Sequence, residues 1–292
     1  MSVSPNTATQ ALIQAVRNGE FQTVRSLIAY SDCNCRHHGS QALREAVKYG
    51  WFDIAQELLP HSDPTAYHCG ALAEAASLGR MDLAALLLPH IDPNITQEHA
   101  VGETVVHNHR DIFDLLLPRV TSDPKIVNLL IRSAAQYGRD YMVEKLLPHC
   151  TDVPEDALTW AVRSQSLRCV ELLQPLSTLS HDFYAAWRNA FTPFSPDIVE
   201  FLMPHLDVNM FSHVGLAATL LENNIPLAKK LFERSNRETV LADVQEEVMD
   251  LGRAVDRERA ICLVEQWLNE EQALRIHNTV DVGHATVARR KI

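Results

Sequence analysis

Four histidines, His61, His90, His149 and His205, each follow the proline of a Leu-Pro or Met-Pro pair. Imidazoles recurring at one repeat position are the raw material of a metal site or a proton relay. Zinc ligands must converge on one ion at about 2 Å, whereas successive packed helical units stand roughly 10 Å apart. The row therefore cannot share an ion. Each imidazole is expected instead to bond a helix-end carbonyl or a neighbouring loop, where a positive charge also complements the helix dipole.

Cys33-Asn34-Cys35-Arg36-His37-His38 is denser. Two thiols and two imidazoles would suit zinc, but Cys-x-Cys lacks the usual spacer and adjacent histidines point apart. The other reading is a turn whose cysteines pack inward while Arg36, His37 and His38 project toward a partner. Nucleophilic catalysis needs a nucleophile, a base and an orienter together, and Cys150 beside His149 or Cys169 with His181 would be the pairs to consider. Cys150 follows a helix end and Cys169 falls on an apolar helix face, so both read as structural. Glu246-Glu247 and Glu270-Glu271 lie on helix stretches that read as solvated faces. The ten glycines form no phosphate-cradling loop. No catalytic, cofactor-binding or metal-ligating residue is assigned, and no cofactor is expected.

The elements that carry these residues are set by a repeat. Ala42-Leu43…Gly50…Leu58-Leu59-Pro60 recurs as Ala71-Leu72…Gly79…Leu87-Leu88-Pro89, and Pro60, Pro89, Pro118 and Pro148 are spaced by twenty-nine or thirty residues. Such a period indicates stacked hairpins. Ala42, Leu43, Ala46 and Val47 give a short helix one apolar edge, and Gly50 ends it in a left-handed turn. A second helix runs from Phe52 to Leu59 with Ile54, Ala55, Leu58 and Leu59 on one face. Pro60 stops it, leaving His61-Ser62-Asp63-Pro64 as the connection. Neither helix can form a core alone, so each hairpin must lean on the next.

A two-helix unit of this length, closed by Leu-Leu before an Asp-x-Asn turn such as Asp32-Cys33-Asn34, Asp92-Pro93-Asn94 or Asp207-Val208-Asn209, resembles an ankyrin repeat. The Leu-Leu-Pro-His-Ser-Asp-Pro ending at residues 58–64 is similar to a divergent subtype of that family. The family's Thr-Pro-Leu-His start is replaced by Gln41-Ala42-Leu43-Arg44 and Gly70-Ala71-Leu72-Ala73, which removes that motif's capping hydrogen bonds. The resemblance implies an all-α, ankyrin-like helical-repeat solenoid of about eight units over residues 9–235, in one elongated domain. Asn108 and Gln165 replace the corner glycine in two later units. Gln165 adopts a left-handed turn poorly, so an altered corner is expected there. Residues 1–8 read as a disordered leader, 236–277 as a helical C-terminal cap and 278–292 as a flexible tail.

Composition narrows the function. With 26 Lys and Arg against 37 Asp and Glu, the formal charge is -11, which argues against nucleic-acid binding and favours a basic partner. Six scattered cysteines do not make a disulfide framework, so a reducing, cytoplasmic setting is expected. The polar stretch Met1 to Gln10 predicts no cleaved signal peptide, though secretion into a host cell without one is compatible with it. No segment approaches membrane-spanning length.

The resemblance further implies that fingers and first helices line a concave face where a protein partner binds. On that face Arg36, His37, His38, Arg44, Tyr67, His68, Arg132, Trp160, Arg163 and Arg188 are the expected contacts, Arg, Tyr and Trp being the types that concentrate interface energy. Tyr67 and His68 are placed at a finger tip. Trp160 and Trp187 either join the groove or fill gaps between units. The expected function is a monomeric, non-catalytic protein-binding module, such as a microbial effector or scaffold. The alternatives are a stoichiometric inhibitor or immunity-type protein of a basic enzyme and an enzyme with its site in the non-repeat residues 235–292 or at the Cys33 to His38 cluster.

Overall fold

The computed structural model describes residues 5–28, 35–91, 98–177, 181–191, 193–205, 213–251 and 254–289, and among these only helices and their connections form, apart from one isolated bridge between Phe191 and Phe194. All three Asp-x-Asn turns lie outside the described residues. The chain divides into two compact units, Met1–Thr178 and Leu179–Ile292, where the unbroken repeat spacing predicts a single domain.

The first unit contains six helical hairpins. They are α1 (Pro5–Arg17) with α2 (Phe21–Ile28), α3 (Cys35–Tyr49) with α4 (Phe52–Leu58), and α5 (Ala66–Ser77) with α6 (Met81–Leu87). Next come α7 (Glu98–His107) with α8 (Arg110–Leu116), α9 (Pro124–Gln136) with α10 (Asp140–Leu146), and α11 (Ala157–Arg163) with α12 (Leu167–Leu173). Helix α1 begins at Pro5, inside the stretch read as a leader, because a proline at the first helical position sacrifices no hydrogen bond. Ala42, Leu43, Ala46, Val47, Ile54, Ala55 and Leu58 are buried, as their periodicity requires. First helices pack on first helices along the array, and second helices on second helices.

The second helices of the second to sixth hairpins each tighten into a 3₁₀ turn: Leu59–His61, Leu88–His90 and Leu147–His149 at Leu-Pro-His ends, Leu117–Arg119 in the fourth hairpin and Gln174–Leu176 in the sixth. Here the histidines do not take the helix-end carbonyls expected of them. His61, His90 and His149 are exposed, and no hydrogen bond joins them to a helix-end carbonyl among the described residues. The turn itself supplies the donors: Ser62 N–H donates to Leu59 O, Ile91 N–H to Leu88 O and Cys150 N–H to Leu147 O. With those carbonyls occupied, the imidazoles point to solvent.

The corner between helices is the same throughout. The N–H after the corner residue reaches a carbonyl five residues back, as in Trp51 to Ala46, Arg80 to Ala75, His109 to Thr104 and Arg139 to Ala134, at 2.7 to 3.0 Å. Ser166 to Ala161 matches them at 3.3 Å, and Gln165 sits at φ 57°. The altered corner expected at Gln165 is therefore absent. Stacking on both sides holds a glutamine in a backbone region that costs an ordinary residue roughly 1–2 kcal/mol.

The residue just after each corner lies over the preceding one. A Cβ at Gly19 would stand 2.8 Å from the Trp51 ring and one at Gly79 2.6 Å from His109. His109 Nε2 is 3.0 Å from Ser77 O, and Arg139 donates to Val105 O and Val106 O at 3.1 and 2.8 Å. The fourth and fifth hairpins thereby each engage C-terminal carbonyls of the first helix before them. At the opposite end, Asp123 accepts from Lys125 N–H, and Asp63 accepts from Thr65 N–H and Oγ1. Asp123 is thus the N-cap of α9, while Asp63 closes the turn just before α5.

The second unit has α13 (His181–Asn189) with α14 (Pro196–Leu202), α15 (Val214–Leu221) with α16 (Ile225–Arg234), then α17 (Val240–Leu251) and α18 (Ala254–Arg289). Helices α17 and α18 lie against each other and against α15 through buried Val240, Val244, Val248, Ala260, Val264 and Trp267. Arg237 fastens α18 by two bonds to Glu271, at 2.7 and 2.8 Å, while its guanidinium also donates to Ser235 O. Helix α18 continues to Arg289, past the point where a tail is expected, as no proline interrupts it.

Candidate functional site

The first helices of the third, fourth and fifth hairpins enclose a groove of about 660 Å³. Tyr67 and His68 come from α5, Glu98, His99, Gly102, Glu103 and Val106 from α7, and Leu129, Leu130 and Ser133 from α9. Its wall is a backbone irregularity. Tyr67, His68 and Cys69 all have positive φ, 55°, 56° and 59°, so α5 opens with a left-handed turn rather than the finger tip expected there. Cys69 is fully buried and its N–H bonds Thr65 O at 3.0 Å, which anchors the turn and leaves Tyr67 64% exposed.

Across the groove Leu129 is 50% exposed on α9, and between them Gly102 forms the floor. A Cβ at Gly102 would meet nothing within 4 Å, so packing does not require this glycine. The Glu103 carboxylate stands 3.9 Å from His99 Nδ1 and 3.4 Å from His107 Nε2. Glu98 makes no ion pair with a described residue. Tyr67 and His68 are thus brought together with residues that sequence reasoning missed: Glu98, Gly102, Glu103 and Leu129. The one signal that pointed there is a glycine inside the helical run Glu98-His99-Ala100-Val101-Gly102-Glu103.

The other expected contacts divide. Arg44 is exposed but bonded to Glu74 at 3.2 Å. Arg132 pairs with Asp156 at 2.8 Å, and the same carboxylate accepts from Trp160 Nε1 at 2.9 Å. The Arg132 and Arg163 guanidiniums lie 6.0 and 5.0 Å from the Trp160 ring. Trp160 is half-buried in this cluster, a position between groove and gap-filler. Trp187, by contrast, is only 2% exposed, packed edge-on to Phe191 at 4.9 Å, so it fills space inside the second unit. Arg188 is exposed in that unit, beside a hollow of about 310 Å³. Arg36, His37 and His38 stand in the first turn of α3, but their side chains lie outside the described residues, as does the Cys33 end of that cluster.

Residues 12–98 match the family model described as ankyrin repeats, in three copies. Residues 12–98 carry ankyrin repeats. No curated protein matches it. Ankyrin repeats are generally protein–protein interaction modules, and the family is typically non-enzymatic. Burial pushes the thiols of Cys69, Cys150 and Cys169 up from their ordinary value, which favours the poorly nucleophilic protonated form. Cys150 Sγ also lies 3.2 Å from Asn128 Oδ1, a structural contact. Among the described residues, no three His, Cys, Asp or Glu side chains are grouped to hold a metal ion, and no helix is long and apolar enough to cross a membrane.

Proposed function

We propose that this protein is a non-catalytic binding module that takes a partner protein on its first-helix face, centred on the groove between α5, α7 and α9. The observation that supports this most is an open glycine floor between two exposed apolar side chains, Tyr67 and Leu129. Residues 236–277 act as the helical C-terminal cap of the array. The net charge of -11 favours a basic protein over nucleic acid, and the chain works as a monomer in the cytoplasm, as a scaffold or effector. A stoichiometric inhibitor of a basic enzyme would share the surface but show an association rate that falls steeply with salt.

The test is affinity capture from native lysate with the full chain, with Gly102→Leu and with Lys145→Ala on the second-helix side. A partner held by the native chain and by Lys145→Ala but lost by Gly102→Leu is expected. Equal retention by all three overturns the groove as the binding face.

A further inference from the structure

The charges around the groove carry the reading one step further, to the chemistry of the partner. On one side of the groove Arg44 is bonded to Glu74, and on the other Arg132 is bonded to Asp156, so the nearest guanidiniums on the first-helix face are internally neutralised. Between these two pairs Glu98 and Glu103 line a hollow with no Lys or Arg among the described residues of its wall. Among those residues, histidines 68 and 99 and the Tyr67 phenol are the other ionisable groups. The apolar part of the lining is set against this acidic edge: Tyr67, Val106 and Leu129 flank Gly102.

Gly102 is the second observation. In the interior of a helix, glycine costs about 1 kcal/mol relative to alanine, and here neither positive φ nor a neighbouring atom calls for it. What its missing side chain provides is close approach to the backbone of α7. The left-handed turn points the same way, because three consecutive non-glycine residues at positive φ keep Tyr67 standing beside that opening.

We propose that the groove selects an extended peptide segment of the partner that carries an arginine or lysine next to an apolar side chain. The cation meets Glu98 and Glu103, and the apolar side chain lies over Gly102 between Tyr67 and Leu129. This rests on the binding reading above and narrows it to one class of ligand.

A random peptide library displayed on phage, selected against the immobilised full chain, tests it. Enriched sequences should share a basic residue beside an apolar one. A synthetic copy of the best of them should bind Glu103→Gln about tenfold or more weakly, the scale of a charge-assisted hydrogen bond. Gly102→Leu should abolish binding while its far-UV spectrum stays native and its melting temperature does not fall, since the added Cβ enters open space and leucine is the better helix former. Selection against Glu103→Lys should shift enrichment toward acidic residues. Enriched peptides that lack a basic residue, ignore Glu103→Gln and are still lost in Gly102→Leu would overturn the charge rule but leave the groove as the binding face. Peptides that bind Gly102→Leu as tightly as the native chain, or no enrichment on a natively folded chain, would overturn both.

Discussion

The groove around Gly102 and the cluster around Trp160 occupy the same layer of first helices in the first unit, and both present aromatic and charged side chains. They differ in what those charges do. At Trp160 one carboxylate, Asp156, receives both Arg132 and the indole N–H, and two guanidiniums lie over the ring, so the polar groups are matched within the chain. At Gly102 the ion-pair partners of the Glu103 carboxylate are imidazoles only, among the described residues, and the exposed walls enclose space. A surface made of interface-prone residue types is therefore not by itself an interface. What separates an inter-repeat fastening from a docking surface is whether the partners are already present.

Experiments that separate stability from binding sharpen this contrast. The two regions rest on one stacked core, so Leu87→Ala should weaken both, costing about 2–5 kcal/mol in a denaturant titration by opening a cavity at a fully buried position. Trp160→Ala should cost about 1–3 kcal/mol, leaving Arg132 and Asp156 without the ring that joins them, and should not change peptide binding at the groove. A loss of binding in that variant with unchanged stability would reverse the roles assigned here. Tyr67→Gly should do the opposite: relief of a left-handed tyrosine stabilises the fold by about 1 kcal/mol, read as a raised melting temperature, while the groove loses a wall and its ligand.

The smallest effect concerns acid. The hydrogen bond from Arg17 holds the Glu45 carboxyl below its usual 4.5, and the Arg237 bond does the same for Glu271. A carboxyl with a lowered folded pKa contributes stability that is present above the unfolded value and disappears as pH falls through the folded one. Denaturant midpoints should therefore drop modestly on acidification below 4.5. The drop should be smaller in Arg17→Met, and an identical acid response in the variant would show that the pair contributes nothing. Both Arg17 and Glu45 lie away from the groove, so peptide binding should not follow this titration.

Much of the fold was legible before any coordinates. Glycines at 19, 50, 79 and 138 and prolines at 60, 89, 118 and 148 mark corners and helix ends because each acts on its own backbone, and the Ala and Leu positions between them define apolar faces by helical spacing. The site was legible only in part. Tyr67 and His68 were found because they are exposed aromatic and polar residues at the start of a unit. Gly102 and Glu103 were passed over because they belong to a first helix whose burial is set by its neighbours. That Arg44 and Arg132 are already paired is not legible in the sequence, because Glu74 and Asp156 lie 30 and 24 residues further along the chain.

The sequence by itself determined the repeat, its two helices, its corners and its acidic charge, all properties of local spacing or of simple sums. Tertiary structure decided the rest: that Gln165 turns like a glycine, that exposed histidines leave the helix ends to 3₁₀ turns, and that some arginines are neutralised while Glu98 and Glu103 line a groove with no Lys or Arg among its described wall residues. The reason is physical. Backbone preferences act over a few residues, whereas the stacking of one repeat on the next fixes which side chains from distant positions meet, and an ion pair or a groove exists only once they do.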